Sequence, residues 1–542
     1  MKQDSFPIPG SGASAPRSLP LLALLIGMIS LVLSSPRFAI PLFAWIGPIA
    51  FLWYSRHCSI KRKWLWIYAA LVVSGIVSAY EVFPMPLIIA VLFILIGSAK
   101  TLLVFILDRW LTKNKDGFIT TLFFPAALVT LEFIDSMGGG GVWGSIANSQ
   151  FDFSWFIQLV SITGLWGISF MIGWFGSVVV WAIERNQNNR PYQKGLFIYG
   201  GIFLVILVYG VLRVNRDILS GNNSVKLAGV TVPSFNFLET VYNEVEKKTV
   251  AINPRISVSS SKLQEINQAL IPFIEQPDPL RFPKTMAALD KLYDSLFVLS
   301  QLMADQGAKI ISWSEGNGFV LMRKQDSLIE RGRCFAKENK VYLLMALAVI
   351  EPGKIKAGKK FIENKAILVG PDGNIANVFH KNKPVPIVEN SSPGDQLVPV
   401  ITTEYGKIST SICYDADFPQ LMRQLSKNKS DLLLLPSGDW YAISPYHSHM
   451  AVIRGIENGS AVFRQVSGGL SVASDYRGKI TGSFDFYKEG DKRWITSVRI
   501  GRVTTVYGII GDVVPYVCIV VVVLVMMYMF LSWGRRGSLV RG

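Results

Sequence analysis

Three segments of the chain place reactive side chains at, or just beyond, runs that read as β-strands. KIISW-SE puts Glu315 two residues past one such run, NIANVF-HK puts Lys381 in the equivalent place after another, and KISTSI-C ends a third on Cys413. A thiol needs a base or a nearby positive charge to become a thiolate near neutral pH. A carboxylate can take its proton, and an ammonium can stabilise first the thiolate and then the oxyanion of a tetrahedral intermediate. Glu315, Lys381 and Cys413 therefore suffice for acyl transfer through a thioester without any metal. Singly they are ordinary, since a lone buried cysteine is more often an inert small hydrophobe. The combination is what carries the reading. His447 and His449 offer a Cys–His pair instead, although Pro445-Tyr446-His447 reads as a helix start.

These residues need a scaffold that fixes strand ends while loops vary. Strand patterns run over 225–232, 309–313, 341–349, 365–370, 374–379, 407–413, 431–436 and 460–466, and helical ones over 285–306, 326–339 and 445–459. PDG at 371–373 marks a hairpin turn. Mixed elements of these lengths imply an α/β layered fold with helices covering sheets. The Ser-, Pro- and Gln-rich stretch 250–284 reads as a long loop without a core of its own.

The remainder of the chain is different in kind. Its 542 residues exceed one ordinary core, half of them are apolar, and the apolar ones are gathered in blocks. Mean hydropathy is +0.36. A bilayer core of ~30 Å needs roughly 20 apolar residues per helix, and eight spans are expected, at 18–35, 38–54, 65–82, 86–107, 118–136, 155–183, 196–214 and 513–533. The net charge of +16 lies largely in short loops between these blocks, which argues for membrane topology rather than nucleic-acid binding. The basic segments 55–64, 108–115, 184–194 and the tail 534–542 alternate with loops poor in Lys and Arg. The positive-inside rule then puts both termini in the cytoplasm and the large 216–510 region outside. Three parts result: 1–215 as a membrane domain of seven helices, 216–510 as the extramembrane catalytic domain, and 511–542 as a last helix with a basic tail. Lys100, inside a span, is expensive there and either lines a cavity, binds a lipid head group or snorkels to an interface. Cys58, Cys334, Cys413 and Cys518 show no metal-ligand spacing and no disulfide framework, with a Cys334–Cys413 pair left open. No cofactor or metal is expected.

At this point the local text resembles a known family. WSEGN (313–317), FHKNKPVPIVE (379–389) and ICYDADFP (412–419) are similar to the three catalytic motifs of the nitrilase superfamily, and more narrowly to its membrane-embedded branch, the apolipoprotein N-acyltransferases. The family pattern is W-P-E, then Y-x-K-x-H-L-V-P-F-G-E, then I-C-Y-E-x-x-F-P. The resemblance makes Glu315 the general base, Lys381 the oxyanion stabiliser and Cys413 the nucleophile. Lys381 is preferred over Lys383 because it precedes Glu389 by the family's eight residues, and Glu389 takes the role of the supporting second glutamate. The stretches 437–471 and 141–170 are similar to further family segments. The chain departs from the pattern at Phe379, Lys383, Val388 and Asp415.

The resemblance implies an αββα sandwich beside a multi-span α-helical membrane domain of about eight helices. It implies an acyltransferase of the bacterial cytoplasmic (inner) membrane that takes an acyl chain from a phospholipid onto Cys413, with the backbone N–H of Tyr414 helping Lys381. The α-amine of a diacylglyceryl-cysteine lipoprotein then accepts the chain. A membrane-tethered amidase that hydrolyses its thioester, or a degenerate member serving as a scaffold, stand as alternatives. The Gly-rich loop DSMGGGGVWGS either contacts the catalytic mouth or is a plain connector.

Overall fold

The computed structural model describes residues 18–539 except 84, 114, 217–218, 220–223, 234, 248–254, 256–259, 489 and 491. The end of the basic tail and parts of the 250–284 stretch thus lie outside the described residues.

The apolar blocks form helices Ser18–Ser34, Pro41–His57, Lys63–Ala79, Leu87–Thr112, Phe123–Ser136, Leu165–Gln187, Gln193–Asn215 and Val513–Leu539. Five segments are long and apolar enough to cross a membrane: Leu87–Thr112, Phe118–Ser136, Leu165–Gln187, Gln193–Asn215 and Val513–Leu531. Most of Leu165–Gln187 is buried, making it the centre of the bundle. Its Gly176 lies against Pro48, where a Cβ would stand 2.8 Å from the proline side chain; small residues allow such backbone approach between apolar helices. The expected span 155–183 starts later, at Leu165, because 157–163 fold as short turns that end on Gly164 at φ +65°. At one end of the bundle, buried Arg56 holds Asp108 through two hydrogen bonds of 3.0 Å and reaches Glu184 at 3.3 Å, tying three helices together. Lys100 pairs with Asp135 on the neighbouring helix, and both side chains are 42% exposed.

The remaining chain builds two sheets. Strands β1 (Ser224–Val230), β2 (Ile310–Trp313), β3 (Gly318–Leu321), β4 (Tyr342–Ile350), β5 (Ile362–Val369) and β6 (Ile375–His380) belong to the first. Strands β7 (Val400–Thr403), β8 (Gly406–Thr410), β9 (Leu432–Gly438), β10 (Ala461–Ser467), β11 (Leu470–Ser474) and β12 (Ile480–Asp485) form the second, and β13 (Arg493–Arg499) returns to the first. The orders are β13-β1-β2-β4-β5-β6, with β3 on β4, and β12-β11-β10-β9-β8-β7. β1, β2 and β4 run parallel in one sheet, and β8, β9 and β10 in the other.

The four-leucine run of β9 shows why the sheets stack. Leu432 and Leu434 point between the sheets toward Leu227, Ile310 and Leu344, whereas Leu433 and Leu435 point outward. A central parallel strand covered on both faces reads as such a continuous apolar run. Helices Pro283–Asp305 and Gln325–Asn339 cover the first sheet. Helix Tyr446–Asn458 covers the second, and its apolar residues are continuous with the core of the membrane bundle. The result is an αββα sandwich standing on the bundle. Polar clamps cross the seam: the Leu165 N–H donates to Glu457 (2.9 Å), and Trp166 and Tyr507 both donate to Asp512 (2.8 and 3.0 Å).

One expectation fails. The stretch 250–284 is not all loop, for Ser260–Glu275 is a helix whose Leu270, Phe273 and Ile274 are buried in the outer helical layer beside Phe237 and Phe282. Its apolar residues recur at helical spacing, and that signal was masked by the polar residues around it.

Candidate active site

The structure brings Glu315, Lys381 and Cys413 together. Glu315 lies beyond β2 and is fixed by its own backbone, whose N–H donates across to the Ser437 carbonyl of the other sheet (3.3 Å). One carboxylate oxygen accepts from Lys381 Nζ and Asn364 Nδ2, both at 2.7 Å, and the other accepts the Gly438 N–H at 2.9 Å. Lys381 follows β6, its N–H donating to the Asn364 carbonyl and its own carbonyl accepting from Gly394. Its fully buried ammonium also bonds Glu389, which is held in turn by the Ser391 hydroxyl (3.0 Å). Burial by itself would push the Lys381 ammonium toward neutrality, but Glu315 and Glu389 reverse this and hold it well above its ordinary value. The two carboxylates thus favour the charged form of Lys381.

Cys413 sits differently from its expected place at a strand tip. β8 stops at Thr410, and Cys413 opens a short 3-10 turn, Cys413–Asp417, at φ +47°. Left-handed backbone is unfavourable for a non-glycine residue and persists only where neighbours enforce it. Here Asp415 does so: its wholly buried carboxylate accepts the N–H of Ile412 (3.0 Å) and of Lys383 (2.7 Å). The aspartate that departs from the family pattern thus fastens the Cys413 turn to the lysine segment. Burial pushes Asp415 up to about 7 against those two N–H groups. The thiol of Cys413 points to the Gly438 carbonyl at 3.5 Å, so Gly438 links cysteine and glutamate through its two backbone groups. Burial and the Glu315 charge raise the thiol well above its ordinary value, with Lys381 opposing them. The Tyr414 N–H, next to the sulfur, has no hydrogen-bond acceptor among the described residues.

A second charged group lies beside the thiol. His447 is held between Asp439 (2.8 Å) and Asp417 (3.1 Å), and Arg464 grips both oxygens of Asp439 at 2.8 Å. Burial would lower His447, but the two aspartates dominate and raise it to about 9. Both imidazole nitrogens are thus engaged by carboxylates, with Arg464 also 2.9 Å from Nδ1, so neither is turned toward the thiol as the base of a Cys–His pair would be. His449 is elsewhere, stacked on Phe151 at 4.0 Å, with burial holding it down to about 4. Ligand atoms of Cys413, Asp439 and His447 lie within 4.8 Å of one another. They suit a cation poorly, because both Asp439 oxygens are already taken by Arg464 and both imidazole nitrogens face carboxylates. All four cysteines are free, with Cys413 buried and Cys334 exposed.

Loops of the bundle close over this site. The Tyr414 hydroxyl donates to the Gly139 carbonyl, Trp143 donates to Asp417, and the Val142 N–H donates to the Asp417 carbonyl (3.0 Å). Gly141 has φ +53°, and a Cβ there would stand 2.6 Å from the Asp417 carbonyl oxygen. The Gly-rich loop is therefore part of the site rather than a plain connector. Trp440 reaches the Glu81 carbonyl of another inter-helical loop (3.0 Å). Asn364, Gly438, Asp417, Asp439 and Arg464 escaped sequence reasoning. The signal that covered four of them was the family likeness of 412–419, which holds Asp417, and of 437–471, which holds Gly438, Asp439 and Arg464.

Comparison with known proteins agrees with this geometry. Residues 27–178 match the family described as apolipoprotein N-acyltransferase N-terminal domain, and residues 276–504 match carbon-nitrogen hydrolase. An apolipoprotein N-acyltransferase of Geobacter metallireducens is 25% identical over 534 residues, covering 93% of this chain and 94% of its own. Apolipoprotein N-acyltransferase 1 of Treponema denticola is 22% identical over 573 residues, covering 97% and 98%. The chain thus carries a segment that matches the apolipoprotein N-acyltransferase N-terminal domain, followed by a carbon-nitrogen hydrolase domain, and it is similar over nearly its whole length to apolipoprotein N-acyltransferases.

Proposed function

We propose that this membrane protein is an N-acyltransferase that moves an acyl chain from a phospholipid, through a thioester on Cys413, to the α-amine of the diacylglyceryl-cysteine of a lipoprotein. The observation that carries the reading is the Glu315–Gly438–Cys413 arrangement with Lys381 buried beside it. In the first half, the Cys413 proton passes to Glu315 and sulfur attacks the ester carbonyl. Lys381 and the Tyr414 N–H stabilise the oxyanion. The C–O bond breaks, the proton goes to the leaving oxygen, and lysophospholipid departs. In the second half, the amine forms the C–N bond, its proton passes through Glu315 to sulfur, and the C–S bond breaks. Glu389 holds Lys381 throughout. The thiol's present bond to a carbonyl is compatible with this, because catalytic hydrogen bonds often tighten only with substrate in place.

The parts take matching roles. Residues 1–215 and 511–542 would lie in the bacterial inner membrane, with 216–510 on the periplasmic or extracellular face and both termini cytoplasmic. Two features support this sidedness. The helix ends joined by Arg56, Asp108 and Glu184 carry the basic loops, whereas the loops that touch the sandwich carry Glu81 and the glycines 138–141. Acyl chains cost about 0.8 kcal/mol per CH₂ to expose to water, so a site covered by bundle loops spares them that exposure.

The test is incubation with labelled phospholipid followed by mass spectrometry of Cys413. A thioester that resolves only on adding a diacylglyceryl lipopeptide supports transfer. Rapid release of free fatty acid without acceptor makes the chain a hydrolase, and no adduct at all makes it a scaffold.

A further inference from the structure

A cavity with a mainly apolar wall and two arginines lies away from the cysteine, where helix Gln193–Asn215 meets the sandwich. It measures about 280 Å³ and is lined by Ser161, Tyr209, Leu212, Arg213, Arg216 and Tyr476, together with residues 503–506. Arg213 reaches it at the C-terminal end of helix Tyr446–Asn458, bonding the Ile456 carbonyl at 3.4 Å. His447, beside Cys413, is at the other end, about 14 Å away along the helix axis at 1.5 Å per residue.

The charges around the cavity do not balance. Arg213 hydrogen-bonds only neutral oxygens, those of Gln158, Ile456 and Tyr476. Arg216, one turn further on, makes no side-chain hydrogen bond or ion pair among the described residues. Arg502 donates to the Thr504 hydroxyl (2.9 Å), leaving its buried Nε without an acceptor. The acid alongside, Asp475, is occupied by Arg477 through bonds of 2.9 and 2.7 Å. Arg213 is partly withdrawn from water and Arg216 is exposed beside it; a guanidinium withdrawn from water without an anion is costly, and an anion that enters between the two relieves the cost. A phosphate diester suits the guanidinium fork.

The surroundings say which anion. Along the same helix Phe197, Leu204, Val205 and Leu212 stand 79%, 61%, 69% and 61% exposed, as residues facing lipid do, and the arginines begin at the next position. This change from exposed apolar to cationic side chains marks the depth at which phospholipid head groups lie. We propose that the cavity binds an anionic membrane phospholipid, its phosphodiester between Arg213 and Arg216 and its acyl chains along Leu212 and Val205. The bound lipid fastens helix Gln193–Asn215 to the sandwich.

The test uses the full chain in detergent, stripped of lipid and titrated with dioleoylphosphatidylglycerol in mixed micelles, read by thermal melting and native mass spectrometry. Saturable binding with a rise in melting temperature is expected. Arg216→Gln should raise the half-saturation concentration about five-fold, the worth of one arginine near an anionic lipid. Arg213→Gln/Arg216→Gln should abolish the shift; because Arg213 also has protein partners, the single Arg216 variant decides if the double one misfolds. An Arg216→Gln protein that titrates like the parent overturns the proposal. So does an equal shift from inorganic phosphate or from diacylglycerol by itself, or a shift given by an acidic peptide and not by the lipid.

Discussion

In the sandwich domain, two buried side chains of basic type are each held between two carboxylates. Lys381 lies between Glu315 and Glu389, and His447 between Asp417 and Asp439. The first pair of acids keeps some exposure, 11% and 21% of the side chain, while the second pair has none. Glu315 spends its second oxygen on the backbone that also receives the thiol, whereas Asp417 and Asp439 spend theirs on Trp143 and Arg464. The Lys381 cluster is therefore arranged toward a reacting atom and the His447 cluster toward rigidity at the seam between sandwich and bundle. The same charge motif serves two ends because of what its remaining lone pairs touch.

The comparison can be broken by substitution. Cys413→Ala should remove both the acyl adduct and transfer, and Glu315→Gln or Lys381→Met should lower transfer at least about 10³-fold with little change in lipid binding. Single-turnover assays with labelled lipid check this; a Lys381→Met enzyme of near-normal rate would end the distinction. Asp439→Asn should act mainly on stability, by about 3–5 kcal/mol, because it leaves Arg464 and His447 short of a buried counter-charge. Chemical denaturation measures it, and turnover per folded molecule should fall far less than for Lys381→Met. Gly141→Ala should cost about 1–3 kcal/mol, from a positive φ and a clash with the Asp417 carbonyl.

The smallest effect is in pH. His447 rises from 6.5 to about 9 in the folded chain, so its contribution is complete below about 6.5 and is lost as pH rises through 9. Melting temperature should decline over that window in the parent and more weakly in His447→Gln. An identical decline in both would show that the imidazolium does not hold the seam.

The candidate positions Glu315, Lys381 and Cys413 were legible because local spacing encodes them. Strand runs end near Glu315, Lys381 and Cys413, and apolar blocks long enough to span a bilayer declare themselves in any window. Other parts had no local signal. β3, β7 and β11–β13 escaped notice because short strands or partly exposed ones do not stand out from loops. The helix Ser260–Glu275 was obscured by its polar neighbours, and 155–164 were counted as helix because hydrophobicity does not separate a buried turn from a span. Asn364 and Gly438 lie mid-strand and at a strand end, and nothing in their own neighbourhood announces a glutamate 49 or 123 residues away.

The sequence by itself determined which residue types could react, how many apolar helices would form and which loops between them would be basic, since each rests on composition within a few turns of chain. Tertiary structure alone decided that Asp415 braces the Cys413 turn, that His447 is pinned between Asp417 and Asp439, and that the glycine loop at 138–141 packs on Tyr414 and Asp417. Those depend on partners 30 to some 300 residues apart, and a buried charge acquires its role only from the groups that fold against it.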